Sequence, residues 1–253
     1  VSGCSIAYNL ALKGLENIVV VDKSYITSGS TGRCGAGVRQ QWGTKMNCLI
    51  AKESIKFFEN ANKILEYDGD IEFKQEGYLL LASTNDEDKL FTNNVKLQQS
   101  LGIDARKLTC DEAKEIVPYL NTKDIVSATF CATDGHLNPF LLTDAYYKAA
   151  KRLGVTFLKD TEVLDIIVNK GEVKTVITNE GTISANIVVN AAGGYSKIIG
   201  EMVGIDIPVV SENHEILVTE PVEKTQGPMV MSFSKNIYCQ QTPHGSFLMG
   251  RGK

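Results

Sequence analysis

Residues 1–22 constrain the fold of this chain more than any other segment does. Apolar residues recur at helical spacing over residues 2–12, and Gly14 follows where a helix C-terminal cap belongs. The β-branched run at 17–22 then predicts a strand that is buried on both faces, as in a parallel sheet. A helix followed by such a strand is half of a βαβ unit, so this segment predicts an α/β fold whose first strand would lie before Val1.

Gly3 and Asp22 stand about 20 residues apart, which is the spacing that dinucleotide-binding folds use. In those folds the pyrophosphate lies at the helix N-terminus, and the acid at the end of the second strand accepts the ribose hydroxyls. Only the last glycine of the G-x-G-x-x-G pattern is present. An amphipathic helix with an ordinary acidic strand end is therefore an alternative.

Two other glycine-rich segments point to close backbone contact with a ligand. The β-branched run 187–190 ends in Ala-Ala-Gly-Gly, which predicts a buried strand whose carboxyl end leaves room for a ligand. The loop 30–37 offers two hydroxyls for phosphate and several glycines for a planar ring, and Arg39 follows it with a fork suited to a carboxylate. The alternatives are a tight strand-to-helix turn for the first segment and a flexible surface loop for the second.

Composition and charge exclude several classes of protein. With 26 basic and 30 acidic residues the net charge is -4, which argues against a nucleic-acid-binding surface. No apolar run approaches the roughly 18 residues that a transmembrane segment needs. Six scattered cysteines form no C-x-x-C pair and the three histidines are unpaired, so we expect reduced thiols in the cytoplasm and no metal site.

Taken in order, these motifs resemble the D-amino-acid-oxidase-like family of FAD-dependent oxidoreductases, and the resemblance covers the whole chain. The branch to which it is most similar holds glycine oxidase, sarcosine oxidase, and the β subunits of sarcosine oxidase and dye-linked proline dehydrogenase. The residues that carry the resemblance are 1–3 with Asp22, 29–35, 75–80, 134–139, 189–195 and 216–221.

The chain departs from this family in three places. Asp22 stands where the family usually has Glu, which keeps the same role. The family's first strand and first two glycines are absent before Val1, and its return to the FAD domain would follow Lys253. We therefore expect the 253 residues to be a fragment that is truncated at both ends.

The resemblance implies an α/β fold in which a Rossmann-like FAD-binding domain is interleaved with a mainly antiparallel β substrate domain. We assign residues 1–70 and 134–204 to the FAD-binding domain, and residues 71–133 and 205–253 to the substrate domain.

FAD is the cofactor that the resemblance implies. The backbone after Gly3 would hold the pyrophosphate, Asp22 and Lys23 would lie at the adenosine ribose, and Val163 would present its backbone to the adenine. The complete expected set of cofactor-binding residues is Ser2, Gly3, Asp22, Lys23, Ser30, Thr31, Arg33, Cys34, Gly35, Val163, Ala191, Ala192 and Gly193.

Arg39 and Tyr238 are the expected catalytic residues. In the sarcosine oxidase branch, an arginine followed by two residues, an aromatic and a glycine binds the substrate carboxylate, and residues 39–43 match that order. A surface arginine near a helix start is the alternative. Tyr238 falls in the strand-rich region that resembles the substrate domain, where a phenol can hydrogen-bond a carboxylate. We expect Trp42 and Met46 to lie in the core.

The function implied is oxidation of an amino acid or N-methyl amino acid at its CH–NH bond, by hydride transfer to the flavin. The alternatives are a flavin dehydrogenase of a 2-hydroxy acid or glycerol phosphate, and a flavin-binding subunit of a larger complex. The expected partners are a small amine or amino-acid substrate, and possible partner subunits or an electron acceptor, with no nucleic acid and no membrane span.

Overall fold

The computed structural model describes residues 1–251, which fold into two compact units. The first unit comprises Val1–Cys34, Asn62–Ile71 and Asn138–Glu212, and the second comprises Gly35–Ala61, Glu72–Leu137 and the described residues from Asn213 onward. Each unit is built from several stretches of chain, because the sequence passes repeatedly from one to the other.

This division differs from the predicted domain boundaries mainly at residues 35–61, which the sequence placed with the FAD-binding domain. The structure places them in the second unit. The reason is packing: Cys48 is fully buried in one apolar cluster with Ile103, Ala105 and Cys131, all of them residues of that unit.

The helices of the described chain are α1 (Ser2–Leu12), α2 (Lys45–Ile64), α3 (Asn85–Ser100), α4 (Cys110–Ile116), α5 (Pro139–Arg152) and α6 (Ser196–Glu201). Two short 3-10 turns cover Ser30–Arg33 and Gly193–Tyr195. The strands are β1 (Val19–Val21), β2 (Gly37–Val38), β3 (Tyr78–Ala82), β4 (Ala105–Leu108), β5 (Ser127–Cys131), β6 (Gly135–His136), β7 (Thr156–Leu158), β8 (Val163–Asn169), β9 (Glu172–Thr178), β10 (Gly181–Ser184), β11 (Ile216–Val218), β12 (Met229–Ser232), β13 (Ile237–Gln241) and β14 (Phe247–Arg251).

Three helices begin where side chains satisfy their free N-terminal amides. Thr84 caps α3 by accepting a hydrogen bond from the Glu87 amide. A reciprocal capping box between Thr109 and Glu112 starts α4. At α5, Asn138 accepts from two backbone amides and a proline takes the first helical position. These local signals explain why α3, α4 and α5 begin where they do.

The first unit holds two small sheets. β1 pairs in parallel with β7, and β8, β9 and β10 form an antiparallel meander. Helix α1 packs against α5, with the rings of Tyr8 and Tyr146 meeting edge to face at 5.8 Å. The parallel pairing of β1 agrees with the predicted parallel sheet, and the βαβ unit, whose first strand would lie before Val1, stays a prediction.

Two strand predictions for the first unit were wrong in part or in whole. The strand at 17–22 shortens to β1 and is not buried on both faces, since Val19 is 40% exposed. Residues 187–190 form no strand, and Ile187 is 79% exposed. The physical reason is that no strand within residues 1–251 lies alongside them to share backbone hydrogen bonds.

The second unit is dominated by a seven-stranded sheet in the order β11-β14-β13-β12-β3-β5-β4. Its pairs are antiparallel except for β12 and β3, which run in parallel. Alternate residues of β3 enter two cores: Leu79 and Leu81 pack with α4, and Tyr78 and Leu80 pack with Phe91 of α3. The two units together confirm the predicted α/β class, with a mainly antiparallel sheet in one of them.

A second, two-stranded ladder completes the second unit. β2 pairs with β6 in antiparallel register, Gly37 with His136 and Val38 with Gly135. Residues 71–73, just before this ladder's Lys74 bridge to His136, form no strand, because Glu72 has a φ of 56°, in the left-handed region that strands do not use. Within residues 1–251, no helix is both long and apolar enough to cross a membrane.

Gly135 holds the tightest backbone approach in this ladder. A Cβ at this position would lie 1.9 Å from the carbonyl oxygen of Lys74, which is backbone and cannot rotate away. Gly227, in the same unit, offers a matched contrast, because its Cβ would meet nothing closer than 4.0 Å.

We therefore predict that Gly135→Ala lowers the free energy of unfolding of the full-length protein by about 2–4 kcal/mol, because the backbone at Gly135 or at Lys74 must shift to admit the methyl group. Gly227→Ala, the control, is expected to change it by less than about 0.5 kcal/mol. Urea unfolding of both variants measures the difference, and equal midpoints would contradict the close approach.

Candidate functional site

The start of α1 lies beside the turn Ser30–Arg33 in the first unit. The first turn of α1 carries no acidic residue. The Val1 nitrogen lies 3.2 Å from Oγ1 of Thr31, which brings the turn Ser30–Arg33 beside this helix end. Free amides and neighbouring hydroxyls at a helix N-terminus are a suitable environment for a phosphate group.

Asp22 directly follows β1, and its backbone is fixed on both sides. Its amide donates to the carbonyl of Leu158 at 2.9 Å, and its carbonyl accepts from the amide of Thr161 at 3.0 Å. The Ser24 amide donates to Oδ1 of Asp22 at 3.0 Å. The carboxylate is thus held at the carboxyl end of a parallel strand, where α/β folds bind ligands.

The neighbouring predicted residues come from two other segments of the first unit. Nζ of Lys23 lies 3.8 Å from the ring centroid of Tyr195, which ends the turn that starts at Gly193. A Cβ at Gly3 would lie 3.7 Å from that of Ala191, so the start of α1 meets the small residues of 191–193. Val163 begins β8, two residues after the Thr161 that bonds to Asp22.

The structure thus gathers the expected cofactor-binding residues of the first unit around the start of α1 and the end of β1. Arg33 and Cys34 are exposed, and Sγ of Cys34 donates to the carbonyl of Thr31 at 3.1 Å. Gly35 belongs to the second unit, where its Cβ would lie 3.8 Å from Oε1 of Gln240.

This set of groups fits FAD chemically. Helix amides and the hydroxyls of Ser30 and Thr31 suit a pyrophosphate, and the Asp22 carboxylate suits the two hydroxyls of an unphosphorylated ribose. No acidic side chain in the first turn of α1 opposes the phosphates.

The second unit contains a cavity of about 330 Å³ next to Arg39. Its lining is mainly apolar and aromatic, with polar groups at a few points. The lining residues are Arg39, Gln41, Trp42, Gly43, Leu80, Glu87, Leu90, Phe91, Asn94, Val95, Gln98, Thr129 and Phe233. This combination is typical of small-molecule sites.

The Arg39 guanidinium is enclosed by rings and sulfur rather than by anions. Its Cζ lies 4.4 Å from the ring centroid of Trp42 and 5.3 Å from that of Phe233. Nη1 donates to Sδ of Met231 at 3.2 Å, and Nε is buried without a hydrogen-bond partner. Arg39 makes no ion pair with any residue in 1–251.

Burial lowers the pKa of Arg39, and the negative charge of Asp134 raises it again in part. A guanidinium stays cationic in a protein even so, because its ordinary pKa lies above about 12. The cavity lining also holds one carboxylate, that of Glu87, whose Oε2 accepts a hydrogen bond from the Ser83 amide at 2.8 Å. Arg39 therefore brings to the cavity a positive charge that has no ion pair among the described residues, and a carboxylate ligand would supply one.

Tyr238 lies on β13, directly across from Met231 in the β12–β13 pair. Its ring packs against the cluster that contains Tyr78 and Leu80, and it is not among the described residues that line the cavity. Arg39 and Tyr238 thus share Met231 as a neighbour, but the structure places only Arg39 at the cavity.

The expectation that Trp42 and Met46 lie in the core was wrong. Trp42 is 38% exposed and lines the cavity, and Met46 is 65% exposed on α2. Sequence reasoning also missed Phe233 and Met231, which reach Arg39 from a distant part of the chain. No local sequence pattern predicts that these two residues contact Arg39, because apolar residues in strand-rich segments usually pack in a hydrophobic core.

The whole chain matches a known protein family. The model of the family described as FAD dependent oxidoreductase (DAO) covers residues 1–253. The chain is 29% identical to the sarcosine oxidase subunit beta of Arthrobacter sp, over 99% of this chain and 63% of that protein. It is 27% identical to the mitochondrial dimethylglycine dehydrogenase of Rattus norvegicus, over 96% of this chain and 29% of that protein.

The chain is also similar in fold to a solved structure. The L-proline dehydrogenase from P. horikoshii superimposes with a TM-score of 0.91 at 37% identity, covering 99% of this chain and 67% of that one. The chain spans less than two thirds of the length of the first curated relatives that it matches.

We predict that acetate, a carboxylate without an oxidisable amine, binds next to Arg39 and changes the fluorescence of Trp42, the one tryptophan of the chain. Arg39→Gln should raise the acetate dissociation constant at least tenfold, because the charge-assisted hydrogen bonds are lost. Arg106→Gln is the matched control, since Arg106 also stacks on a ring, that of Phe130, but lies outside the cavity. Titration at constant ionic strength decides, and an equal loss in both variants would contradict a specific site.

Proposed function

The chain belongs to the FAD dependent oxidoreductase family, and on that premise we propose that the whole protein oxidises an amino acid or N-methyl amino acid at its CH–NH bond. The observation that carries the proposal is the half-buried Arg39 guanidinium, which lines a mainly apolar cavity and has no anionic partner among residues 1–251. An amino-acid substrate brings the missing carboxylate. The names of the relatives, which include sarcosine oxidase, dimethylglycine dehydrogenase and L-proline dehydrogenase, support this substrate class.

FAD, when bound, supplies the acceptor for the hydride that leaves the α-carbon. The residues proposed to hold it are those gathered in the first unit. The amides after Gly3 and the hydroxyls of Ser30 and Thr31 would bind the pyrophosphate, and Asp22 would accept the ribose hydroxyls. Lys23 would lie at the adenosine end, where it is already held against Tyr195.

Arg39 is proposed to hold the substrate carboxylate by two parallel hydrogen bonds. A planar fork fixes the orientation of the carboxylate as well as its charge, so the α-carbon is restricted to few positions. Trp42 and Phe233 lie against the guanidinium and shield part of it from water, which strengthens the pairing with an anion. Tyr238, which lies directly across from Met231 in the β12–β13 pair, is proposed as a second polar contact.

The alternative of a flavin dehydrogenase for a 2-hydroxy acid or glycerol phosphate needs a base to take the hydroxyl proton. None of the described residues that line the cavity is a histidine or a lysine. His136, the buried histidine, is not among them, and burial lowers its pKa. Glu87 is the carboxylate among the described lining residues, and its Oε2 already accepts a hydrogen bond from the Ser83 amide at 2.8 Å. Amine oxidation needs no such base, because the neutral amine itself can support the loss of hydride.

We also propose that the protein works with partner subunits or an electron acceptor and lies in the cytoplasm. Two of the curated relatives are beta subunits of sarcosine oxidase, which supports a multi-subunit assembly. All six cysteines are free thiols, as expected in a reducing compartment.

One prediction of this proposal tests the identity of the cofactor. We expect the full-length protein to contain FAD, rather than FMN or NADP, because Asp22 accepts ribose hydroxyls and repels a 2′-phosphate. Asp22→Ala should weaken FAD binding about tenfold to a hundredfold, and Glu16→Ala, an acidic residue just before the same strand, should leave it unchanged. Fluorescence titration of the flavin-free protein measures both. A folded but colourless full-length protein would contradict the proposal.

Another prediction of this proposal tests the role of Arg39 in binding the substrate carboxylate. Arg39→Lys keeps the positive charge but loses the two parallel hydrogen bonds that a planar guanidinium donates to a carboxylate. The loss should cost about 1.5–3 kcal/mol, or about tenfold to a hundredfold in apparent affinity. Steady-state kinetics should show a raised KM for the amino acid, while the affinity for FAD changes little. Arg106→Lys serves as the control. Unchanged KM and kcat in Arg39→Lys would mean that the carboxylate is bound elsewhere.

A further inference from the structure

Asp134 is a buried carboxylate that the proposed reaction does not use. It is 0% exposed, and no ion pair to it occurs in the part of the chain that the structure describes. Burying an ionised carboxylate costs several kcal/mol unless hydrogen bonds or charges compensate it. Because burial of this carboxylate is unfavourable, we ask which parts of the chain its hydrogen bonds hold in place.

The Asp134 carboxylate accepts hydrogen bonds from both of the residues that follow Arg39. Its Oδ1 accepts from the Gln40 backbone amide at 2.8 Å and from Nε2 of Gln40 at 3.4 Å. Its Oδ2 accepts from Nε2 of Gln41 at 3.1 Å. One carboxylate thus anchors the chain immediately after the guanidinium-bearing residue.

The residues before Arg39 are held by the same short motif. β2, which ends at Val38, pairs with β6, so that Val38 lies opposite Gly135 and Gly37 opposite His136. Residues 134–136 therefore fix the backbone on both sides of Arg39, by a strand ladder before it and by a carboxylate after it.

Gln41 connects this clamp to the sheet and to the cavity. Its Nε2 also donates to the carbonyl of Tyr78 at 3.0 Å, and its Oε1 accepts from Oγ1 of Thr129 at 2.8 Å. Both ends of the amide are therefore assigned, which permits only one orientation of the side chain. Gln41 lines the cavity together with Arg39 and Thr129.

We propose that Asp134 is a positioning residue for Arg39: its carboxylate fixes the Gln40–Gln41 backbone so that the guanidinium stays in place between Trp42 and Phe233, ready for the substrate carboxylate. This rests on the proposed role of Arg39 as the carboxylate-binding residue. Asp134 does not contact the cavity itself; it acts through Arg39 and Gln41.

The charges agree with this geometry. Burial raises the pKa of Asp134 to about 6, so the carboxylate is mostly ionised at neutral pH and accepts the hydrogen bonds of Gln40 and Gln41. Its negative charge also supports the cationic form of Arg39 against the effect of burial.

The test is Asp134→Asn in the full-length protein loaded with FAD. The amide has one donor and one acceptor where the carboxylate has two acceptors, so in either orientation its NH2 group faces an N–H of Gln40 or Gln41. We expect the KM for the amino acid and the dissociation constant for acetate to rise about tenfold, with kcat and the affinity for FAD changing less than threefold.

The matched control is Glu112→Gln, another carboxylate of the second unit that accepts a backbone amide, that of Thr109 at 2.7 Å. It lies outside the cavity lining, and it should leave KM unchanged. In the double variant with Arg39→Lys, the two effects on KM should be less than multiplicative, because both act on the same contact.

If Asp134→Asn does not fold, Gln41→Met replaces it, since this change removes the hydrogen bond of Gln41 to Asp134, together with those that involve Tyr78 and Thr129, without altering charge. It should raise KM and the acetate dissociation constant at least threefold. A lower melting temperature with unchanged KM and acetate binding in these variants would show a merely structural role and overturn the proposal. If Arg39→Lys also leaves both constants unchanged, the proposed function fails as well; if only Arg39→Lys raises them, the positioning role alone is wrong.

Discussion

A positive charge held among rings without an anion is the constraint on which the second unit depends. Two stacked rings contribute about 0.5–2 kcal/mol each to a guanidinium, whereas removing an ion from water costs several kcal/mol. Trp42 and Phe233 therefore do not offset the burial of Arg39 by themselves. We infer that the hydrogen bonds of Asp134 and Gln41 keep Arg39 in this arrangement. The packing of the surrounding sheet must then offset the rest of the free energy that burial of the guanidinium costs.

In the first unit the corresponding constraint is the position of Asp22. Backbone hydrogen bonds on both sides hold the segment after β1, so the carboxylate stays at the carboxyl end of a parallel strand. A ligand that bound this carboxylate in the folded unit alone would stabilise that unit.

Local signals in the sequence were sufficient for much of the fold. The starts of the capped helices α3, α4 and α5 and the turns of the meander β8–β10 follow from caps and turn residues that act over a few positions. The strand expected at 187–190 failed because a strand needs a neighbour, and a pattern of β-branched residues does not supply one. The same limit applies to the candidate site. Arg39 could be picked out from the residues next to it in the sequence. Asp134, in contrast, accepts its hydrogen bond from Gln40 across 94 residues of sequence, and no local pattern predicts that contact.

The parallel pairing of β3 with β12 also affects how the second unit can assemble. Tyr78 lies opposite Met229, so this central contact joins positions about 150 residues apart, and such non-local pairing slows folding. During synthesis β3 is complete long before β12 emerges, and its run Tyr78–Ala82, buried at every residue in the finished sheet, must wait with one edge unpaired. Nascent chains of this protein should therefore depend on chaperones more than their final stability suggests.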